Sequence, residues 1–594
     1  MNDSLEDFGK SVHDEEGAVL ITSLLLIFIL TLMGMTAMIS GSINVTIADN
    51  YKQSRAAFYA AEAGIERAVG RIIDTFEDLS VYSNSQEDPN ANGQGTFIIP
   101  DLNNYQITYT INNPLNRFLY TTFIGTASTL HWAYPYRLDS EAVSLSNKSR
   151  ARITEQIRIL ETPLVQYYIF YGGSGNEADL EWLPGPTMNS WGRVHSNGDV
   201  YLWSHNTLTF RNYTDSLEFT PHSLTACGSI FRRRKDSSAS MSGQVKIRIN
   251  NDHTIPGLVT DYKELPAAGI TRDNWESIRG QFHDYLMIGV NAYTGVTTKS
   301  VERGGFYEHK AEDPKRDTVD GMKIVRDGGG AIRVFCSRPV YQEVTAWITA
   351  EQPLAITQSS LEKNDQREGK PVDFIVLDMN LLEEWYVNTY LAIRYSAGLA
   401  GEGILIYVSQ TPATGFVAGP RLQAIKLAKS TVPRLLDETT LCTDNPLYIE
   451  GNFNTINKRG CCLISDAINI LSNGWAAAQA ASPGTFTVAS ATSINAAFIS
   501  GNVPTPAGGG AYSGGLENYP RFHENWSGIT CSINGCFINL WSSVQATGHW
   551  YYGSPVYEAP NRNWGWDTAF EDFNFWPPFV PSIYSVQRGA WKEL

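Results

Sequence analysis

Between Gly17 and Ala48 the chain carries no charged side chain. The core of that run, Ala18 to Ile39 (AVLITSLLLIFILTLMGMTAMI), reaches the ~20 apolar residues a helix needs to cross a bilayer. A secretory signal peptide has a shorter apolar region followed by a small-residue cleavage site, and the length argues against a buried core helix. The segment reads as a membrane span, so the rest of the chain folds while tethered at one end.

The helical pattern outlasts the span. In NYKQSRAAFYAAEAGIERAVGRIIDTFEDL, residues Phe58, Ala61, Ile65, Ala68, Ile72, Phe76 and Leu79 fall on one stripe. No Pro interrupts Ala18 to Ser80, which predicts one rod of about 90 Å, half apolar all round and half amphipathic. Small residues at Ala57, Ala60, Ala61, Ala63 and Gly64 permit close approach of a second helix. The alternative is that this stripe packs on the chain's own head domain.

The hydrophilic leader ending in Gly17, the uncharged run from Ala18, and AAFYAAEAGIERA at Ala56 to Ala68 resemble, in that order, the N-terminal module of PilX-like type IV minor pilins and pseudopilins. The resemblance covers residues 1 to about 80. It implies that a prepilin peptidase cuts after the glycine, so that Gly17 and Ala18 flank the scissile bond, and that the bared helix packs into a filament core. On this reading Phe58, Ala61, Glu62, Gly64 and Ile65 are helix-packing residues. Thr22 stands at the fifth mature position, where most pilins carry Glu and PilX-like members commonly lack the acid. The leader has one Lys, whereas Lys52, Arg55, Arg67 and Arg71 follow the span, so the positive-inside rule alone would leave the large domain in the cytoplasm. The ordered motif argues for export instead.

Beyond the rod, 50 Gly, 29 Tyr, 25 Phe and 15 Trp in 594 residues favour a β-rich body with many turns. A net charge of −16 gives no whole-chain attraction to phosphate backbones, so nucleic acid is not an expected partner. Residues 83–95 form a polar break, and 105–111, 118–127 and 151–160 alternate as strands of a small antiparallel sheet. The expected organisation is a leader at 1–17, a transmembrane and amphipathic pilin helix at 18–80, a pilin-like head sheet at 81–163 and a large β-rich domain at 164–594.

Within that large region VHSNGDV, LYIEGNF and AFISGNV share strands broken at a Gly-Asn or Gly-Asp corner, with CLISDAINIL as a degenerate copy. Tight left-handed corners between inward aliphatics suit a right-handed β-helix-like stack, with a β-sandwich as the rival. The aromatic-dense stretch 512–594 reads as a cap on the end of that stack, or as platforms for sugar rings. The fold class expected is α+β and mostly β, with a long N-terminal transmembrane pilin helix, a small antiparallel sheet and a large β-helix-like C-terminal domain.

The sequence offers little catalytic chemistry. Its seven Cys are too few for a disulfide framework. Cys461 and Cys462 read as strand neighbours, whereas Cys531 and Cys536 flank Asn534-Gly535, which predicts a hairpin turn. The ten His show no metal-ligand spacing, and His195 reads as a turn histidine bonded to local backbone. DGGGAIRVF at Asp327 lacks the Gly-Lys-Ser/Thr of a phosphate loop and reads as a loop entering a strand. A carbohydrate-active enzyme would have to gather carboxylates such as Asp199, Asp373, Asp378, Glu383 and Glu384 on one face.

These readings give a noncatalytic minor pilin or pseudopilin-like component of a type IV pilus or related secretion system, with no cofactor, metal or catalytic residue expected. Its large domain would serve adhesion or tip priming. The expected partners are a prepilin peptidase, other pilin subunits through the helix, membrane lipid before assembly, and surface glycans. The expected location is the inner membrane, as a single-pass protein, and then the pilus and cell surface. The alternatives are a membrane-tethered carbohydrate-active enzyme and a membrane-anchored scaffold.

Overall fold

A computed structural model describes residues 4–594 apart from 78–91, 101–103, 114–116, 125–126, 212–223, 238–241, 250–261, 284, 294–297, 315–318, 339, 391–402, 429–437, 476–485 and 507–509. The polar break expected at 83–95 lies largely outside the described residues.

Helix α1 runs unbroken over Ser4–Glu77. Inside its apolar part the hydroxyls of Thr22, Ser23, Thr31 and Thr36 donate one turn back, to the carbonyls of Ala18, Val19, Ile27 and Leu32 at 2.9, 2.7, 2.7 and 2.8 Å. The helix thereby satisfies these hydroxyls itself, which is what an apolar surrounding demands.

From Ala57 onward the helix is covered. Ala57, Ala60, Ala61, Ile65, Ala68, Ile72 and Phe76 are fully buried against an antiparallel sheet. That sheet is built from β1 (Gly93–Ile99), β2 (Tyr105–Asn112), β3 (Phe118–Ile124), β4 (Ala127–Ser144) and β5 (Arg150–Pro163), ordered β1-β2-β4-β5 with β3 on β4. Alternation aims Tyr105, Ile107, Tyr109 and Ile111 of β2 at the helix. Gly64 permits the close contact: a Cβ there would meet Ser140 Oγ at 2.1 Å and Ile107 Cγ2 at 2.7 Å.

The large domain contains a long run of parallel strands. Its spine consists of β6 (Ile169–Tyr171), β7 (Val194–Ser196), β8 (Leu224–Ala226), β9 (Leu286–Ile288), β10 (Val319–Arg326), β11 (Gly403–Ser409), β12 (Thr439–Cys442), β13 (Cys461–Ser465), β14 (Thr492–Asn502) and β15 (Thr530–Ser542). The spatial order is β10-β11-β12-β13-β14-β15-β6-β7-β8-β9, and every one of these pairs is parallel. The chain joins this column in its middle at β6 and advances to one end at β9. It then crosses to the opposite end at β10 and winds back until β15 docks on β6.

A second parallel sheet runs alongside, made of Lys370–Asp378, Leu422–Ala428, Leu447–Glu450, Ile468–Leu471 and Pro520–Phe522. Inward aliphatics from both sheets, among them Leu405, Leu441, Leu463, Ile425, Ile449 and Ile470, fill one continuous core.

Because the chain leaves the column beside the point where it joined, its last strand, β16 (Ser582–Glu593), returns to the head and pairs antiparallel with β5. The head sheet is therefore completed by the far end of the chain, and the large domain is an insertion between two adjacent head strands. Arg588 of β16 ties helix to sheet, reaching Glu66 of α1 at 2.5 Å and Glu155 of β5 at 2.7 Å. Trp591 sets its ring edge-on to Phe58, centroids 5.6 Å apart.

Several local expectations change. The Gly-Asn corner adopts a left-handed backbone at Gly451, with φ of 79°. At Gly198 the requirement is space instead, since a Cβ would lie 2.3 Å from Asp179 Oδ1 on the preceding turn of the column. Asn534 and Gly535 do not form a hairpin: both lie inside the continuous strand β15, which places Cys531 and Cys536 on opposite faces. All seven cysteines are free thiols, and Cys461 and Cys462 are buried strand neighbours as read from the sequence. The aromatic stretch flanks the middle of the column, not its end, because Asn561–Trp566 pairs with β15. There Trp564 stacks near Phe537 at 5.1 Å and Trp566 Nε1 donates to Val165 O at 2.8 Å.

Candidate functional site

The surface that most needs a partner is the N-terminal half of α1. Val19, Leu20, Ile21, Leu24, Phe28, Met33 and Ile39 are all more than half exposed, and none of the most apolar window of the helix is buried. Burying one Leu or Phe side chain is worth about 1.5–3 kcal/mol, so a row of this length is untenable in water and requires lipid or other helices. Gly17 and Ala18 stand at the start of this stretch, both exposed and helical.

The helix-packing residues divide differently from the expectation. Ala61, Gly64 and Ile65 are buried against the chain's own head, and Phe58 is half-buried beside Trp591. Only Glu62 faces outward. The small-residue stripe thus brings the helix close to its own sheet, which corrects its reading as an intersubunit seam. The physical reason is the sheet's need to cover Ile107, Ile153 and Leu138, and close contact with a narrow helix does so.

The carboxylates enlisted for an enzyme are dispersed. Asp373 accepts from Ser360 Oγ and Arg421 Nε at 2.7 and 2.8 Å. Partial burial disfavours its charge, but these partners outweigh burial and hold the carboxyl below its usual range. Asp378 caps the helix Met379–Trp385 by accepting from Leu381 N, and Glu383 and Glu384 ride on that helix. Asp199 sits at a corner, where it accepts from Ser229 N at 2.7 Å. Asp378, Glu383 and Glu384 share that one helix, whereas Asp373 and Asp199 are tied into other local structure.

His195 is buried in β7, not exposed in a turn. Its ring nitrogens meet Thr225 Oγ1 at 2.7 Å and Asn197 Oδ1 at 3.0 Å, so its partners are side chains, not local backbone. Burial drives its pKa down to about 4, against the Asn197 contact. It is a neutral core histidine. Asp327 turns the chain between β10 and the strand Ile332–Cys336, as its loop reading requires, by accepting from Gly329 N and Ala331 N at 2.9 Å. No group of three His, Cys, Asp or Glu residues able to hold a metal occurs among the described residues.

Sequence reading passed over a set of buried acids. Burial raises the carboxyls of Glu181, Asp444 and Glu517, the latter two to about 6 and about 7. No spacing in the sequence marks them, because Glu181 and Glu517 approach one another only where β15 docks on β6.

The comparisons agree with the helix geometry. The family model described as PilX N-terminal matches residues 16–66. Residues 16–66 are a PilX-like minor-pilin N-terminal region. No curated protein matches the chain. The crystal structure of the competence-associated pilin ComZ from Thermus thermophilus is 12% identical and covers 91% of this chain and 97% of its own. Its TM-score of 0.24 is too low to carry any argument. Residues 16–66 are thus similar to a PilX N-terminal region, on a helix long and apolar enough to cross a membrane.

Proposed function

We propose that this PilX-like chain is a noncatalytic minor pilin or pseudopilin-like subunit, which displays its large domain from a type IV pilus or a related secretion filament. The single observation that carries the reading is the division of α1: bare over its uncharged run from Gly17 to Ala48, then sealed onto a head from Ala57. A helix built this way anchors the subunit in the inner membrane and then exchanges lipid for neighbouring pilin helices, with no change in the head. A prepilin peptidase cutting between Gly17 and Ala18 frees the helix for that exchange. The inserted domain, a β-helix-like column on this reading, is far wider than the helix. Such a subunit belongs at low copy number, at a tip where adhesion or priming takes place.

The test is the mature N-terminus by mass spectrometry after coexpression with a prepilin peptidase. The expected N-terminus is Ala18, lost in Gly17→Asp. An intact leader in both proteins would overturn the pilin reading and leave a membrane-anchored scaffold.

A further inference from the structure

At 1.5 Å per residue the uncharged run Gly17–Ala48 extends about 48 Å, slightly more than the roughly 40–45 Å of a bilayer with its headgroups. The next turns of α1 therefore emerge at headgroup depth. Lys52 and Arg55 stand there, both exposed. The Arg55 guanidinium lies 5.6 Å from the ring centre of Tyr51 and 5.7 Å from that of Tyr59, and it donates to Tyr59 OH at 3.1 Å. Tyrosines and basic residues at the end of a span hold a helix at the membrane interface, rings and stems in the apolar boundary and charges among the headgroups. Asp49, the one acid between Ala48 and Arg55, accepts from Gln53 Nε2 at 2.6 Å.

The head sheet reaches down to the same level. Tyr105, at the start of β2, donates its hydroxyl to Gln53 O at 3.2 Å and also bonds Ser149 Oγ. That ties the turn joining β4 to β5 beside the point where the helix leaves the membrane. The turn is compact: Ser144 Oγ accepts from Ser146 N and Asn147 N, each at 3.3 Å, and Lys148 adopts a left-handed backbone with φ of 63°. It presents Leu145, 58% exposed, together with the exposed side chains of Lys148 and Arg150. Among the described residues, none of Lys52, Arg55, Lys148 and Arg150 has a carboxylate within ion-pair distance. A chain of net charge −16 thus gathers four cations and a bare leucine around the exit of its span.

We propose that this surface docks the head on anionic phospholipid headgroups, with Lys52, Arg55, Lys148 and Arg150 meeting phosphates and Leu145 entering the interface. Charge complementarity selects this occupant, because cations held at headgroup depth are attracted to a negative leaflet and only weakly to a neutral one. The docking rests on the reading of α1 as a membrane anchor and adds the class of lipid that holds the head. Extraction into a filament must break these contacts, so the charge of the membrane sets how firmly the unassembled subunit is held.

The test places a fluorophore on Leu145→Cys in the full-length protein with Cys227→Ser; the other six thiols are buried and stay unlabelled. Nanodiscs carry a trace of phosphatidylglycerol or phosphatidylcholine spin-labelled near the headgroup. Quenching by the anionic lipid is expected to exceed that by the neutral one roughly fivefold, the enrichment that a single basic residue gives at a charged surface. The ratio should fall to parity at about 0.5 M NaCl and in the double variant Lys148→Gln, Arg150→Gln. A label on Ile39→Cys, inside the span, checks the anchor separately against lipid spin-labelled in the acyl chain, and a label on Leu354→Cys, exposed on the large domain, is the unquenched control. No quenching at Ile39 would refute the membrane span itself. Quenching at Ile39 with none at residue 145, or equal quenching there by both lipids, would overturn the docking alone and leave the surface to a second subunit.

Discussion

Ile169 and Phe537 are paired neighbours in one parallel sheet, although nearly the whole large domain separates them along the chain. The Phe537 N–H donates to Tyr168 O at 2.7 Å, so the last turn of the column is hydrogen-bonded to the first. That junction places the beginning and end of the domain side by side. It is also the reason that β16 reaches β5.

The geometry makes the head separable. Pro163 and Ser582 are directly paired where β5 and β16 face the large domain. Replacing residues 164–581 with Asn-Gly, a two-residue hairpin turn, is expected to leave a folded head on its helix. Circular dichroism and a cooperative thermal transition in detergent would check it. Loss of the transition would show that the head depends on the domain it carries.

Gly64 lets the helix approach the sheet closely. Gly64→Val inserts atoms where Ser140 and Ile107 already stand, and overpacking of this kind costs about 1–3 kcal/mol. The expected outcome is a lower urea midpoint for the head with the large domain unaffected. Gly70, which has open space around it, is the control: Gly70→Ala should be neutral or slightly stabilising.

Burial raises the Glu517 carboxyl to about 7 from an ordinary 4.5, with Arg562 offsetting part of the effect. Between those two values the folded chain binds the proton that the unfolded chain releases, so stability contributed by this group rises as pH falls from 8 to 5. The full swing is on the order of 3 kcal/mol. Glu517→Gln stays neutral throughout, so its stability advantage over wild type should be largest at pH 8 and shrink toward pH 5. Denaturant titrations at both pH values measure this, and a constant difference would refute the linkage.

The sequence by itself determined the elements whose signals are local. The uncharged run from Gly17 specifies a helix that water does not tolerate, and alternation in YQITYTI specifies a strand with one covered face, because both patterns depend on periods of a few residues. Tertiary structure decided what lies opposite each pattern. The stripe at Ala61, Gly64 and Ile65 suits a foreign helix and its own sheet equally well, and the head sheet won by offering a complementary apolar face within the same chain. The Asn534-Gly535 pair carries a turn signal, yet β14 on one edge and the strand Asn561–Trp566 on the other hold it in an extended strand. The insertion of the large domain and the meeting of Glu181 and Ser513 at its seam were beyond local reading. They follow from the parallel stacking of strands distant in sequence, where each contact depends on the order in which the whole column is laid down.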